Sequence, residues 1–447
     1  NDDWWPRMVA LKALMQHHEA TEDARVPAFM ERYLRHQADN LPARPLTGAS
    51  GVRGAENLLA LYWLLERAGD RGLLGLVDTL LAQTVDWGSW LEEMPARDVT
   101  GVWDPMSEGV NVAIGLKTPA LRYLADGDAG HRRQLDAGLA NLDRYHGQVH
   151  GFFSADEWLG GTDARRGTEL CAIVEAMYSF EQLVRIYGGG DYADRLENLA
   201  YNLLPAAFDA RMTARQCHQQ ANQVLATIAD RDWTRADDDC TIFGLEPNSG
   251  CCTADLQQGW PKLVSSMWMG TADGRGLAAV VHGPSQLETV IAGRRVGIET
   301  ITEYPFEETL RYRITLAAPT DLGLVLRVPA WCADPTLKVN GNDVPVGAHP
   351  DGEAGFLRTD RTWENGDELE LRLPMSVRAQ ERPGGGVGIS LGPLHLVASP
   401  GEVWSRLPDS PGLGDFEVRP RRSWNLGLAI RPGSVDRVAR VERPGVQ

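Results

Sequence analysis

The chain has 447 residues and a formal net charge of −17 at pH 7, with 43% apolar and 23% charged residues. This length exceeds what one ordinary hydrophobic core supports, so we expect about two or three domains. The negative charge argues against binding to nucleic-acid backbones or to anionic membranes, which need basic surfaces, and no apolar run is long enough to span a bilayer.

The first part of the chain carries apolar residues at helical spacing, with short polar or glycine-containing turns between the segments. Pro27 suits the start of the second segment. The predicted helices are 8–19, 28–36, 56–67, 73–83, 111–124, 132–145, 171–187 and 193–204. Serial helices of hairpin length predict a closed array of helix pairs, so we expect an (α/α) barrel over residues 1–268.

Beyond residue 268 the spacing of apolar residues changes to a period of two, which is typical of β-strands. The alternating segments are 296–300, 310–316, 324–328, 337–339 and 369–373. Asn340-Gly341 and Asn365-Gly366 predict hairpins, because Asn-Gly accepts the positive φ angles of a type I′ turn. Residues 269–447 therefore predict an antiparallel β-sandwich region with room for two subdomains.

The cysteines bear on the cellular compartment. The six of them do not form an evident disulfide framework, which fits a reducing environment. The chain begins at Asn1 without an initiator methionine, and it shows no signal peptide. We therefore expect a cytoplasmic protein, either as a processed chain or as a fragment that lacks upstream sequence.

Two adjacent cysteines, Cys251 and Cys252, stand out. Neighbouring Cα atoms lie about 3.8 Å apart, below the bridging range of about 4.4–6.8 Å, so the pair is a poor disulfide. Adjacent thiols can bind one soft metal where the backbone turns sharply, and Gly250 permits such a turn. With Glu169 and Cys171 they would supply three thiolates and one carboxylate, a set that suits tetrahedral zinc.

A plainer interpretation of these residues stays open. Free cysteine behaves as a small buried hydrophobe, and an adjacent pair is a weak metal signal. Residues two apart within a helix point about 200° away from each other, so Glu169 and Cys171 can share an ion only near a helix end. Thr168 as the N-cap would place both in the first turn, where the dipole favours anions. Glu169 would otherwise be only a favourable first-turn acid.

Glu157 is a candidate general acid. It lies beside Asp156 and is flanked by Phe153 and Trp158, and an apolar setting raises the pKa of a carboxyl group. The alternative is an exposed acidic turn without a catalytic role.

Polar residues near these loops are candidate ligands for hydroxyl groups. The imidazoles of His146 and His150 could hydrogen-bond a polar ligand or cap a helix end. The amides of Gln220 and Asn222 suit sugar hydroxyls, although a run of amides also occurs in solvated turns. No G-x-S-x-G segment is present, so a serine hydrolase is poorly supported.

Two segments carry a family resemblance, 167–171 (GTELC) and 250–252 (GCC). The chain resembles the β-L-arabinofuranosidase family, which is glycoside hydrolase family 127 and its relatives. The similarity runs from 4–6 (WWP) through 248–253 (NSGCCT) to 392–394 (GPL), so it covers most of the chain.

The resemblance implies a retaining exo-glycosidase that releases terminal β-L-arabinofuranose or a related sugar. It further implies that Glu169, Cys171 and Cys252 bind Zn²⁺, and that Cys251 is both a zinc ligand and the nucleophile. Glu157 would be the general acid and base. The implied partner is an oligosaccharide or glycoside, with no nucleic acid and no membrane, and a homodimer is a candidate assembly.

One position departs from the family pattern, because Glu108 stands where family members usually carry a sugar-contacting His. A carboxylate there changes the polarity of the hydrogen bonds, so the alternative glycone is a branched acidic pectic sugar. Asp156 is the fallback acid if the spacing to Glu169 differs. A non-catalytic carbohydrate-binding protein with structural zinc is the alternative from another class.

Overall fold

We describe a computed structural model of the chain. The described residues are 3–68, 71–98, 104–234, 236–345, 355–408, 410, 412–425 and 427. They form a helical N-terminal half followed by β-sheets, as the sequence predicts. Within these ranges no helix combines the length and the apolar character that crossing a bilayer requires.

Helices make up most of the chain as far as Ser266. The bounds of α1 to α9 are Trp5–Thr21, Arg25–Asn40, Ala49–Val52, Ala55–Ala68, Leu74–Gln83, Trp87–Glu93, Gly109–Gly115, Thr118–Asp126 and Gly130–His146. A small sheet of β1 to β4 comprises Ala155–Asp156, Trp158–Leu159, Gly167–Glu169 and His218–Gln220. Helices α10 to α14 are Leu170–Tyr187, Gly190–Asn198, Leu204–Ala206, Cys251–Asp255 and Trp260–Ser266.

Helix α10 lies at the centre of the helical half. Nearly all its side chains are buried, including Ile173, Met177 and Phe180, and it contacts α7, α8, α11, α13 and α14. A helix that is apolar on most of its faces has to lie inside a helical assembly, and α10 does so with its few acids, such as Glu175, buried as well. The metal-type residues Glu169 and Cys171 stand at its beginning.

Three helix predictions need correction. The predicted helix 111–124 is two helices, because α7 ends at Gly115 and α8 begins anew with a proline in its first turn. The predicted helix 193–204 is interrupted by a π-helical turn at Leu199–Leu203. Pro27 does not mark the start of α2, which begins two residues earlier at Arg25.

The interior of the helical half contains a cluster of paired charges. Glu56 is fully buried, and its Oε2 lies 2.6 Å from Lys12 Nζ. Lys117 Nζ contacts the other oxygen of Glu56. Glu175 of α10 lies 3.5 Å from Lys12 Nζ and accepts a hydrogen bond of 2.8 Å from Gln258 Nε2. Buried charges are stable only when they are paired in this way.

The β half is a sandwich of two main sheets. Strands β5 to β14 are Trp268–Gly270, Gly276–Ala279, Ser285–Ile291, Arg294–Ile301, Thr309–Leu316, Thr320–Arg327, Thr336–Val339, Asn342–Val344, Phe356–Trp363 and Glu368–Arg372. One sheet has the order β13-β10-β6-β5, and the other has the order β12-β11-β14-β9-β8-β7. Alternate residues of β9 are buried, so the predicted period of two reflects one face packed on the core.

The two predicted Asn-Gly hairpins differ in outcome. Asn340 and Gly341 have φ angles of 50° and 77° and join the antiparallel strands β11 and β12, which confirms a hairpin. Asn365-Gly366 joins β13 to β14, which belong to different sheets, so the predicted hairpin is wrong there. The sandwich is also not wholly antiparallel, because β10 and β6 pair in parallel.

The last described strands return to the helical half. Strands β15 to β19 are Val377–Glu381, Val387–Leu391, Leu394–Leu396, Glu402–Arg406 and Phe416–Pro420. In β19, Phe416 exchanges backbone hydrogen bonds of 3.0 and 2.7 Å with Phe243, and Val418 pairs with Ala226. The C-terminal hairpin β18–β19 therefore packs against the segment that precedes Cys251.

A buried arginine joins the two halves. Arg327 at the end of β10 forms ion pairs with Asp194 and Glu197 of α11. Tyr304 Oη donates a hydrogen bond of 2.6 Å to Glu197 Oε1. Helix α14 ends at Ser266 just before the first sandwich strand. The predicted boundary between residues 268 and 269 stays a prediction.

Candidate active site

The junction of β3 and α10 solves the problem of two ligands separated by one residue. Glu169 is the last residue of β3 and the N-cap position of α10, with φ −69° and ψ 137°. Cys171 is the second residue of the helix. Because the backbone changes from extended to helical between them, both side chains reach one point. The predicted N-cap was wrong by one residue, since Glu169 and not Thr168 occupies that position.

The two adjacent cysteines are presented by a turn at Asn248. Asn248 has φ 64°, in the left-handed region that asparagine tolerates better than most residues. Gly250 has φ −71°, which any residue adopts, so the expected need for a glycine at that position is wrong. Helix α13 then begins at Cys251, with Cys252 as its second residue.

The four predicted ligand residues lie together. Cys171 Sγ lies 3.6 Å from Cys251 Sγ and 3.2 Å from Cys252 Sγ, and the two adjacent sulfurs are 3.8 Å apart. Glu169 Oε1 is 3.9 Å from Cys251 Sγ and 3.9 Å from Cys252 Sγ. Cys251 is exposed, whereas Cys171 and Cys252 are buried. This group could hold a metal ion.

The groups of this cluster oppose one another's ionisation. Burial raises the pKa of Glu169 well above its usual value, and the neighbouring Cys252 and Glu157 add to the shift. Hydrogen bonds with Cys251 and Cys252, together with burial, raise the pKa of the Cys171 thiol well above its usual value. Oε2 of Glu169 is buried and has no hydrogen-bond partner among the described residues. A bound cation would relieve all three conditions.

Glu157 lies close to the carboxyl group of Glu169. It is the single residue between β1 and β2 and has φ 77°. Its Oε1 accepts a hydrogen bond of 3.1 Å from Asn248 Nδ2 and lies 3.5 Å from His218 Nε2. Carboxylate oxygens of Glu157 and Glu169 lie within 4.8 Å of each other. Glu157 and Cys251 therefore both border the carboxylate of Glu169.

The expected rise in the pKa of Glu157 is wrong. The hydrogen bond with His218 lowers the pKa of Glu157 below its usual value, although burial opposes the shift, and Asn248 adds to it. Burial disfavours the charged form of His218, yet the contacts with Cys217 and Glu157 raise the pKa of that imidazole well above its usual value. Polar side chains from distant segments, those of Asn248 and His218, contact the carboxyl group and stabilise its charged form.

The fallback acid Asp156 is in a different position. It is only 3% exposed, and its Oδ2 accepts a hydrogen bond of 3.1 Å from Arg166 Nη1. Burial raises the pKa of Asp156 to about 7, and Arg166 opposes the rise. The side chain of Glu157 is 31% exposed. Of the two acids, Glu157 is the one that a ligand can reach.

Glu108 precedes Gly109, whose amide donates a hydrogen bond of 2.9 Å to the Glu157 carbonyl, and the Glu108 side chain is held by two neighbours. Arg53 Nη2 donates to its Oε1 at 3.3 Å, and Asn111 Nδ2 donates to its Oε2 at 2.8 Å. The guanidinium carbon of Arg53 lies 4.7 Å from the centroid of the Trp5 ring. Burial raises the pKa of Glu108, Arg53 opposes the rise and the charge of Glu157 adds to it. The sequence pointed to Glu108 but missed Arg53 and Asn111.

Three predicted substrate-binding residues are not brought into the cluster. Nε2 of His146 donates a hydrogen bond of 2.8 Å to Ala96 O, Nδ1 accepts one of 3.0 Å from the Gly161 amide, and burial lowers the pKa of this imidazole to about 4. Gln220 donates to the carbonyl of Arg165. Asn222 is exposed in a turn with φ 56°. In the described ranges none of the three hydrogen-bonds to the cluster.

Sequence reasoning overlooked the contribution of β4 to the site. Cys217 precedes β4, and its Sγ lies 3.5 Å from Cys252 Sγ and 3.4 Å from Asn248 Nδ2. His218 opens β4 and is fully buried next to Glu157. Cys217 and His218 are a recognisable pair of ligand-type residues in the sequence, and they directly precede the amide-rich run that begins at Gln219.

Two family models match the sequence. Residues 2–262 match the model described as β-L-arabinofuranosidase, GH127 catalytic domain, where GH127 is glycoside hydrolase family 127. Residues 276–375 match the model described as β-L-arabinofuranosidase, GH127 middle domain. None of the curated proteins matches the chain.

Solved structures share the fold. A GH127 β-L-arabinofuranosidase from Geobacillus stearothermophilus T6 is 19% identical with a TM-score of 0.67, over 89% of this chain and 69% of that one. A protein described as a glycoside hydrolase is 17% identical with a TM-score of 0.65, over 87% and 68%. A GH127 β-arabinofuranosidase is 17% identical with a TM-score of 0.57, over 81% of this chain and 64% of that chain. With the catalytic-domain model matching more than half of its residues, the chain belongs to the β-L-arabinofuranosidase family, glycoside hydrolase family 127, and is a glycoside hydrolase.

Proposed function

We propose that the protein is a retaining exo-glycosidase that removes a terminal β-L-arabinofuranose or a closely related neutral furanose. Cys251 is the nucleophile and Glu157 is the general acid and base. The proposal depends on one observation: Cys251 and Glu157 are both accessible, and both lie next to the buried carboxyl group of Glu169. Cys251 is the exposed sulfur of the three, and Glu157 is the accessible acid of its pair.

Zinc is the metal that suits the donor set of Glu169, Cys171, Cys251 and Cys252. Zinc bound by sulfur at about 2.3 Å in a tetrahedron separates neighbouring sulfurs by about 3.8 Å. The three sulfur separations of 3.2, 3.6 and 3.8 Å fall close to that value. When bound, the ion would keep the three thiols deprotonated, including the sulfur that has to act as a nucleophile.

The reaction has two steps. In the first, Cys251 Sγ forms a bond to the anomeric carbon while the bond to the leaving oxygen breaks and Glu157 gives that oxygen a proton. In the second, the Glu157 carboxylate takes a proton from water, whose oxygen bonds to the anomeric carbon as the carbon–sulfur bond breaks. Two inversions at one carbon give net retention.

The charge around the pocket favours a neutral sugar over the acidic alternative. Glu108, Glu157 and Glu169 are all carboxyl groups. Arg53 already donates to Glu108 and to Asn111, and the buried imidazole of His218 already contacts Glu157. The carboxylate of a uronic acid would be repelled by these groups, and Arg53 and His218 already have acidic partners. The acidic pectic sugar therefore has less support than a neutral furanose.

The test is a panel of aryl furanosides and glycuronides with the wild-type protein and three variants. We expect hydrolysis of the β-L-arabinofuranoside, with the β-anomer appearing first by NMR. Cys251→Ser will abolish turnover, and Glu157→Gln will accumulate a covalent sugar adduct on Cys251 that mass spectrometry detects. Cys332→Ser, at a buried cysteine in the β half, is the matched control and will stay active. Activity retained by Cys251→Ser would contradict the mechanism and favour a structural metal.

A further inference from the structure

The side chain of Asn248 is held by contacts that fix its direction. Its Oδ1 accepts a hydrogen bond of 2.9 Å from the Asp237 amide, and its backbone N–H donates one of 2.9 Å to Asp239 Oδ1. The backbone at φ 64° is one that asparagine adopts with little strain. Both the backbone and the amide plane of Asn248 are therefore set by the loop that precedes it.

This direction leaves the amide nitrogen facing the site. Asn248 Nδ2 donates to Glu157 Oε1 at 3.1 Å and lies 3.4 Å from Cys217 Sγ. A rotated amide would turn Oδ1 toward the Glu157 carboxylate and lose the bond from the Asp237 amide. Two acceptors would then face each other, so the observed direction is the one that the hydrogen bonds permit.

We propose that Asn248 is the positioning residue for the general acid and base, and that it fixes the direction of the Glu157 carboxyl group relative to the nucleophile. The inference rests on the proposed function of Glu157. Asn248 stands three residues before Cys251 on the same turn, so one short segment carries the nucleophile and orients its partner acid. The segment that carries Cys251 therefore also holds the carboxyl group of Glu157, which comes from the turn between β1 and β2.

The contacts also divide the two oxygens of Glu157 between different tasks. Asn248 Nδ2 and His218 Nε2 both approach Oε1, at 3.1 and 3.5 Å. Oε2 is then the oxygen that exchanges a proton with the leaving group and with water. Without the amide of Asn248, the side chain of Glu157 gains rotational freedom and spends less time in the productive direction.

Substrates with different leaving groups distinguish a positioning role of Asn248 from a general loss of structure in the variant. A poor leaving group such as an alkoxide needs protonation by Glu157, whereas 2,4-dinitrophenolate leaves without it. Asn248→Gly keeps the backbone conformation and removes the donor. We expect kcat/KM for an alkyl furanoside to fall about 10- to 100-fold, the range for a lost hydrogen bond to a charged group, and kcat/KM for the dinitrophenyl furanoside to fall less than about 3-fold.

Two further variants sharpen the comparison. Asn248→Asp keeps the shape of the side chain, removes the donor and sets a carboxylate against Glu157, so its loss on the alkyl substrate will be at least as large. It also carries the test if the glycine variant does not fold. Asn340→Gly makes the same change at a left-handed asparagine of the β11–β12 hairpin, and it will leave the ratio of the two kcat/KM values unchanged.

A structural measurement gives a second readout that does not depend on turnover. In a crystal structure of Asn248→Gly, with zinc content equal to the wild type, the Glu157 carboxylate will be displaced or will occupy more than one rotamer. An unmoved carboxylate, or equal losses on both substrates, would overturn the assignment of Asn248. If the wild type hydrolyses neither furanoside, the proposed function fails instead, and that outcome is recognisable before any variant is made.

Discussion

Replacing Glu56 by Gln is expected to be among the most destabilising single changes in the helical half. The carboxylate of Glu56 is completely buried between two lysines, with Oε2 at 2.6 Å from Lys12 Nζ and its other oxygen in contact with Lys117 Nζ. Glutamine keeps the size of the side chain but removes its charge. The two ammonium groups remain inside the protein and lose their main counter-charge.

The magnitude follows from what is left. Glu175 is the acid that still forms ion pairs with both lysines, 3.5 Å from Lys12 Nζ and 3.8 Å from Lys117 Nζ, and one of its oxygens already accepts a hydrogen bond from Gln258. The buried carboxyl group of Asp255 also interacts with Lys12, but it forms no ion pair with either lysine among the described residues. Removing one partner of a buried ion pair costs about 3–5 kcal/mol, because water cannot solvate the charge that remains. A typical domain has only about 5–15 kcal/mol of stability, so the helical half would become marginal.

Urea unfolding followed by far-ultraviolet circular dichroism measures this loss. Glu66→Gln is the matched control, because Glu66 pairs with Arg185 at 2.9 Å on the surface, where an ion pair contributes about 1 kcal/mol or less. Adding Lys12→Met to Glu56→Gln removes one unpaired charge and should restore part of the stability. Equal losses in Glu56→Gln and Glu66→Gln would refute the reasoning about burial.

Three further predictions concern pH, metal and specificity. Burial raises the pKa of Glu181 from 4.5 to about 8, so its contribution to stability is complete below pH 4.5 and is lost as the pH rises toward 8. Glu181→Gln should flatten the plot of unfolding free energy against pH in that range. An unchanged plot would contradict the prediction. Removing metal with a chelator should abolish activity and lower the melting temperature, and adding zinc should restore both. Cys171→Ser should weaken zinc binding more than about 100-fold, whereas Cys332→Ser should bind zinc normally. Equal zinc content in the two variants would count against the site. Glu108→Gln removes a carboxyl group from the candidate site, so kcat/KM for a glycuronide relative to a neutral furanoside should rise about 5- to 10-fold. A constant ratio would show that the charge of Glu108 does not select the sugar.

The fold could be predicted wherever local spacing decides the outcome. The helical and strand periods separated the two halves of the chain, and Asn340-Gly341 specified a hairpin because both residues accept positive φ. Asn365-Gly366 gave the same local signal for a different connection. A turn motif fixes the change of direction, whereas the partner of the next strand depends on which sheet can bury its apolar face. That choice was invisible in the sequence.

The candidate site divides in the same way. Glu169 with Cys171, and Cys251 with Cys252, are close in sequence, so each pair could be recognised locally. The spacing left buried thiols as an alternative, and the family resemblance is what favoured joining the two pairs into one ligand set. His218 and Arg53 come from two other segments, and Asn248 precedes the cysteine pair; no local pattern connects any of the three to Glu157 or Glu108. The direction of the pKa shift of Glu157 was wrong for that reason, since contacts from remote segments decide the ionisation of a buried acid.

The pairing of Phe416 with Phe243 has a consequence for any shortened form of this enzyme. The hairpin β18–β19 is far along the chain from the segment that leads into Asn248, yet β19 forms backbone hydrogen bonds with that segment at Ala226 and Phe243. A protein cut before β18 would keep all the candidate site residues, yet the backbone at Ala226 and Phe243 would lose its hydrogen bonds to β19. We therefore expect removal of this hairpin, by a protease or by design, to lower activity although no candidate site residue is removed.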